Sequence, residues 1–443
     1  VVNLFDLALS WLKQKPKERV IVFGRGIHAL PNPREKELFD DASSAFIRGD
    51  VLEGYKSFLA SLVHSEISHL PHHLKIIPEE GALRFELIQG SAIVKAYITS
   101  EYLEAHADIA QSASLHVAIK RRFLERNFQL TYCHFSEENG VIKLSVRLDN
   151  TTITPQKIFF PLREIALNAD FEKEFIASEF DESVLLEYDH ILPIKEERAR
   201  RLYTAMQTWI VQTKESLLGL LSNDNTGMVS FSYLALLLQI DYLILPHKKM
   251  AKNISEKING YFLDDEKLTE DKNADLETFL FELETMSYEH FVTQLYDSTS
   301  TFSPYEQAMH DDIATFIDES LAKVRWYKNS HSNYVISVIY RYISLYILYN
   351  YGLHPSLRAL LHLHVEVYAG DFFEAEGETR LYDPQTKTFQ KNSMQERIAS
   401  AIEPYADRYK GLKNFADELN YSDLEHFSQS FYLQIKNLDY TEA

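Results

Sequence analysis

His362, His364 and Glu366 are the side chains whose types and spacing come nearest to metal chemistry. Two imidazoles and a carboxylate at alternate positions form an N,N,O ligand set on a strand, because period two puts all three on one face. A strand there would favour a metal-dependent enzyme. On a helix the set separates: His362 and Glu366 pair at i,i+4, and His364 points elsewhere. The run follows Pro355 between helical phrases, so the spacing predicts a helix. Glu104, His106 and Asp108 share one face of an expected strand. The solvated face of an antiparallel sheet carries such residues without any metal.

Other candidates are weaker in chemistry. His64, His69, His72 and His73 crowd around Pro71. They can sense pH or hold metal loosely, but no cysteine or carboxylate completes a site, and the segment reads as a polar connector. Gly24-Arg25-Gly26-Ile27-His28-Ala29 matches a dinucleotide pattern, which needs a helix to begin there. Pro31 and Pro33 forbid that helix, so a tight turn is expected. Cys133 and His134 are neighbours in a strand-like run and point to opposite faces, so Cys133 reads as a small buried hydrophobe. The chain lacks G-x-S-x-G, a Walker loop, H-E-x-x-H and C-x-x-C. The sequence assigns no catalytic, cofactor-binding or metal-ligating residue, and points away from an enzyme.

Two helical patterns carry surface chemistry. Lys120, Arg121, Arg122 and Arg126 make one helix locally basic, which reads as a solvated face. The alternative is docking of an acidic peptide or of the chain's own acidic helical region. Tyr334, Tyr340, Tyr342, Tyr346, Tyr349 and Tyr351 crowd another helix. Tyrosines so placed bridge a helical core to its wet rim; as a pocket they would make a small-ligand sensor.

Elements must position these residues. Helices are expected at Val1–Gln14, Arg34–Arg48 and Val51–His64, with a short strand at Arg19–Gly24. The phrases around Gly49-Asp50 and Gly370-Asp371 look like tetratricopeptide turns, without a sustained repeat. Between Leu83 and Asp149 the pattern alternates. Leu83, Phe85 and Leu87 share a face, as do Ala92, Val94, Ala96 and Ile98, and then Leu103, Ala105, Ala107 and Ile109. Ser112 to Phe128 has helical spacing, with Leu115, Ile119, Phe123 and Leu124 as its apolar set. Leu130–Phe135 and Val141–Leu148 flank Asn139-Gly140, a hairpin turn signal. Thr154 and Pro155 read as a helix N-cap and first position.

From Ile194 the pattern is helical: Ile194–Leu221, Phe231–Leu245, Leu276–Leu295, Pro304–Tyr327, Val335–Tyr351 and Pro355–Phe373. An acidic linker is expected at Leu263–Asp275 and a hairpin or loop at Leu381–Phe389. The fold class is α+β: a two-layer α/β sandwich of order β-β-β-α-β-β-α, preceded by helices and followed by a large all-α region. The division is 1–75 helical, 76–190 sandwich and 191–443 all-helical, as one domain or as two parted near 264–275.

Composition sets the class. The chain has 443 residues, 45% apolar and 25% charged, with only 14 Gly and 13 Pro, as a helix-rich globular protein would. Its net charge of −20 repels phosphate backbones and anionic lipid, so nucleic acid and membrane are poor partners. Val335–Leu353 is apolar but holds Arg341, Ser344, Asn350 and five tyrosines, so a buried core helix is expected, not a span. No signal-peptide pattern opens the chain, and its single cysteine suits a reducing, cytoplasmic setting.

The order of elements between Leu83 and Glu179 resembles the YbjN family and the small type III secretion chaperones. That resemblance implies a fold that binds polypeptide or self-associates, without catalysis. The expected function is therefore a non-enzymatic, chaperone-like interaction protein with a protein or peptide partner and no cofactor.

Overall fold

The computed structural model describes residues 23–24, 33–63, 73–180, 184–218, 226–296, 308–330 and 333–440. The expected helix at Val1–Gln14, most of the strand ending at Gly24, the turn after it, and His64, His69 and His72 lie outside those residues.

The chain is α+β. Alternation builds β2 (Ala82–Gln89), β3 (Ala92–Ile98), β4 (Tyr102–Gln111) and β6 (Val141–Asp149), each burying every second residue. Together with β1 (Leu74–Glu79) and β5 (His134–Glu138) they form one antiparallel sheet in the order β1-β2-β3-β4-β6-β5. Strand β1 corrects the five-strand expectation. It is an edge strand that buries only Leu74, and Ile76-Ile77-Pro78 breaks its period. The observed order is therefore β-β-β-β-α-β-β-α.

Helices α1 (Pro33–Ile47) and α2 (Val51–Ser61) form a hairpin turned at Gly49, whose φ of +82° suits glycine. The Tyr55 hydroxyl donates to Asn150 Oδ1 at 2.7 Å and ties this hairpin to the sheet. His73 is buried, its Nε2 2.5 Å from the Leu62 carbonyl, so it packs inside instead of belonging to a polar connector.

Helix α3 (Val117–Arg126) starts later than the spacing predicts. Ser112–Ser114 is a lone 3-10 turn, and His116 Nδ1 caps the helix by accepting from the Ala118 N–H at 3.2 Å. The strand expected from Leu130 begins only at His134. The N–H groups of Thr131, Tyr132 and Cys133 all donate to the Glu164 carboxylate, at 2.7, 2.7 and 2.8 Å, so they are withheld from the ladder. Glu164 sits on α4 (Pro155–Glu179), which Thr154 caps by accepting from the Lys157 N–H, as predicted. Ile158, Leu162, Ile165, Ala169 and Ile176 of α4 bury against the sheet.

Both sheet edges are guarded. Pro78 removes a donor from β1. On β5, Asn127 Nδ2 donates to the Phe135 carbonyl at 3.0 Å, and the Phe135 N–H donates to Asn127 Oδ1 at 2.6 Å. Asn127→Ala is expected to cost about 1–2 kcal/mol in denaturant titration. The opened edge should then self-associate with rising concentration more strongly than the wild type in sedimentation velocity.

The rest is helical: α5 (Glu196–Leu217), α6 (Thr226–Ile244), α7 (Lys248–Leu263), α8 (Thr269–Thr285), α9 (Tyr288–Thr293), α10 (His310–Asn329), α11 (Asn333–Asn350), α12 (Pro355–Tyr368), α13 (Gly370–Ala375), α14 (Lys391–Ile402) and α15 (Leu424–Lys436). The small hairpin β7 (Tyr382–Asp383) and β8 (Thr388–Phe389) falls where a hairpin or loop was expected. Half of the expected acidic linker is helix: Glu270 and Asp271 form the first turn of α8, where the helix dipole favours carboxylates. The helices expected over Leu276–Leu295 and Pro355–Phe373 each break in two. Helix α6 is long and apolar enough to cross a membrane, yet 89% of that stretch is buried inside the protein. It is a core helix, buried on all sides and packed beside α11.

Polar groups join the sheet to the helices. Asp170 accepts from the Ser91 N–H at 2.7 Å and hydroxyl at 2.8 Å. Lys173, fully buried, donates to the Leu186 carbonyl at 2.6 Å, and burial pushes its amine down to about 8. Glu174 accepts from the Lys248 N–H at 2.5 Å and the Tyr296 hydroxyl at 2.7 Å. Burial, with Asp170 beside it, pushes the Glu174 carboxyl up to about 7.

Candidate interaction surface

Helix α3 has two apolar faces. Ile119 and Phe123 point inward, and the Phe123 ring sits 4.7 Å from that of Phe135. Val117 and Leu124, seven residues apart, return to one stripe on the other side, and Phe128 follows in the turn after the helix. They are 75%, 65% and 92% exposed. The sequence placed Leu124 among the core-facing residues; the structure turns it outward. The spacing of 117 and 124 was the available signal.

An ion-pair clamp fixes α3 in place. Glu172 on α4 is fully buried and accepts from Arg122 Nε at 2.8 Å and Nη2 at 3.0 Å, while Arg126 Nε lies 3.0 Å away. The Arg122 guanidinium also lies 4.1 Å from the centre of the Phe175 ring. Arg121 pairs with Glu125 at 2.9 Å, and Lys120 approaches Glu137 at 3.9 Å. Arg122 and Arg126 are thus matched internally, whereas Arg121, 80% exposed, lies on the solvated face that the sequence predicts. Beside the far end of β6, Tyr132, Leu148, Ile153, Phe160 and Pro161 line a mostly apolar pocket of about 280 Å³, with Lys157 at its rim.

The sequence-derived candidates are dispersed. Residues 355–368 are helical, as predicted, and His362 Nε2 pairs with Glu366 Oε1 at 3.1 Å. His364 faces a different, fully buried network. Its Nδ1 lies 3.1 Å from both Ser344 Oγ and the Tyr432 hydroxyl, and its Nε2 lies 3.2 Å from Ser428 Oγ. Burial alone pushes this imidazole down to about 3, so it stays neutral as a core group.

Glu104, His106 and Asp108 do share a face of β4, but each is engaged across it. Glu104 pairs with Arg147, His106 stands opposite Lys95 and Ser145, and Asp108 lies 3.7 Å from Lys143. Among the described residues no group of three or more His, Cys, Asp or Glu is arranged to hold a metal ion.

Cys133 is buried, as expected, and burial followed by the nearby Glu164 carboxylate raises its thiol far above the usual range. Tyr340 and Tyr342 are buried, and Tyr346 stacks on Phe316 at 4.4 Å, so these tyrosines serve packing. Ile27, His28 and the other residues after Gly24 in the dinucleotide-like pattern lie outside the described residues. No family model and no curated protein matches this chain.

Proposed function

We propose that the sheet unit binds a polypeptide partner through the outward stripe of α3. The observation that carries this reading is the exposure of Val117 and Leu124 on a helix whose opposite face is locked to the core, with exposed Phe128 in the turn that follows it. Three large apolar side chains exposed on an anchored helix and the turn that ends it are costly to leave in water and match a partner's apolar face. Guarded sheet edges leave this face as the more open route to pairing. The chaperone-like order of elements points the same way, and the reading requires no catalytic group.

Photo-crosslinking in cells tests it. A photoreactive residue replacing Leu124 should give a discrete polypeptide adduct, identified by mass spectrometry. Phe128→Glu should cut its yield about tenfold, the size of effect an interface anchor carries. An adduct between two copies would identify self-association. Equal labelling from the exposed control position Lys249 would overturn the proposal.

A further inference from the structure

We propose that a cradle on the helical unit is a receptor for an aromatic–glycine step, bent at the glycine, in a polypeptide, and is occupied in this chain by its own Phe23 and Gly24. The Phe23 ring stacks on His362, with centroids 5.3 Å apart and planes at 24°, and meets the Phe373 ring edge-on at 5.2 Å. Main-chain groups then fix its direction. Arg358 Nη2 donates to the Phe23 carbonyl at 2.8 Å, and the Gly24 N–H donates to the Tyr242 carbonyl at 2.8 Å. Gly24 has a φ of +69°, and a Cβ there would lie 2.5 Å from Tyr242 Cε2, so only glycine fits without a shift.

The cradle is built beneath its occupant. His362 is held from two sides, Nδ1 at 2.9 Å from the Tyr242 hydroxyl and Nε2 at 3.1 Å from buried Glu366. Arg397 lies 3.7 Å from the same Glu366 oxygen. Phe373 and Tyr242 are buried, whereas Phe23 is only partly so. What the cradle reads is one ring, one carbonyl, one N–H and the absence of a following side chain. A separate polypeptide can present all four, so the contact does not depend on chain continuity. Aromatic anchoring with main-chain hydrogen bonds is a common basis of peptide recognition. The occupant in cis then competes with one in trans and lowers its apparent affinity.

The test uses the full chain and the peptide acetyl-Ile-Val-Phe-Gly-Arg-amide, the sequence at 21–25. Phe23→Ala removes the anchoring ring and leaves the occupant in cis held by its main chain alone, so calorimetry should show this variant binding the peptide 1:1. The wild type should bind about tenfold more weakly or less. Alanine in place of the peptide's glycine should weaken binding about tenfold or more, and adding Arg358→Met to Phe23→Ala should abolish it. If Phe23→Ala does not fold, Phe23→Leu keeps an apolar side chain and takes its place. A folded variant that fails to bind the peptide overturns the proposal, as does equal binding of the glycine and alanine peptides. The cradle shares no residue with the α3 stripe, so Phe128→Glu should leave peptide binding unchanged and the two proposals fail separately.

Discussion

Denaturant titrations from pH 7 to pH 10 are expected to show the wild-type protein gaining stability relative to Lys173→Met. The folded Lys173 amine sits at about 8 against an ordinary value of 10.5, because burial outweighs the attraction of Asp108 and Asp170. Between those values the unfolded chain holds a proton that the folded chain has released, so stability rises with pH. The gap sets a ceiling of about 3 kcal/mol. Methionine keeps the length and removes the titration, so the difference between the two curves isolates this amine. Parallel curves would mean that Lys173 keeps an ordinary pKa. Glu174 works in the opposite sense and in another window. Its folded carboxyl is raised from 4.5 to about 7, so its contribution is full below 4.5 and is lost as the pH rises through 7. Glu174→Gln should flatten the profile between those limits.

Glu172→Ala is expected to cost about 3 kcal/mol, the lower end of the range for breaking a buried ion pair. The carboxylate is fully buried, but Arg122 and Arg126 are 31% and 21% exposed and can partly rehydrate once released. Replacing both arginines with methionine in the same chain should recover most of the loss, since no buried charge is then left without its partner. A loss below about 0.5 kcal/mol would show that the clamp does not hold α3. Limited trypsinolysis gives a second reading. Cleavage after Arg121 and Arg126 should accelerate in the single variant, because α3 detaches while the sheet persists. The crosslink yield proposed for position 124 should fall with it, although the exposed apolar residues themselves are unchanged.

The sheet was legible where one of its faces is dry. Val94, Ala96 and Ile98 announce β3 because a strand between two neighbours must bury alternate residues. Asn139-Gly140 and Thr154-Pro155 announce their turn and cap because few other residues satisfy that backbone. Strand β1 was hidden because an edge strand with one buried residue has little pattern to show. The Leu130–Cys133 loop was hidden for a different reason. Its residues favour a strand, and a carboxylate thirty residues later takes their N–H groups instead. Leu124 shows the limit of periodicity, since a helix with two apolar faces does not say which one is covered. The cradle around Phe23 joins side chains hundreds of positions apart, and spacing along the chain carries no trace of it.

Cys133 gives the molecule a chemical clock. It is the chain's single sulfhydryl, and its sulfur lies 3.6 Å from the Pro161 carbonyl, beneath a loop held by Glu164. An alkylating reagent can reach that sulfur only when the loop lifts from α4. Modification of the native protein therefore marks a single atom at a rate set by how often that loop is open, and at high reagent concentration by the lifting itself, so the breathing of the sheet unit can be followed apart from the helices without a substitution.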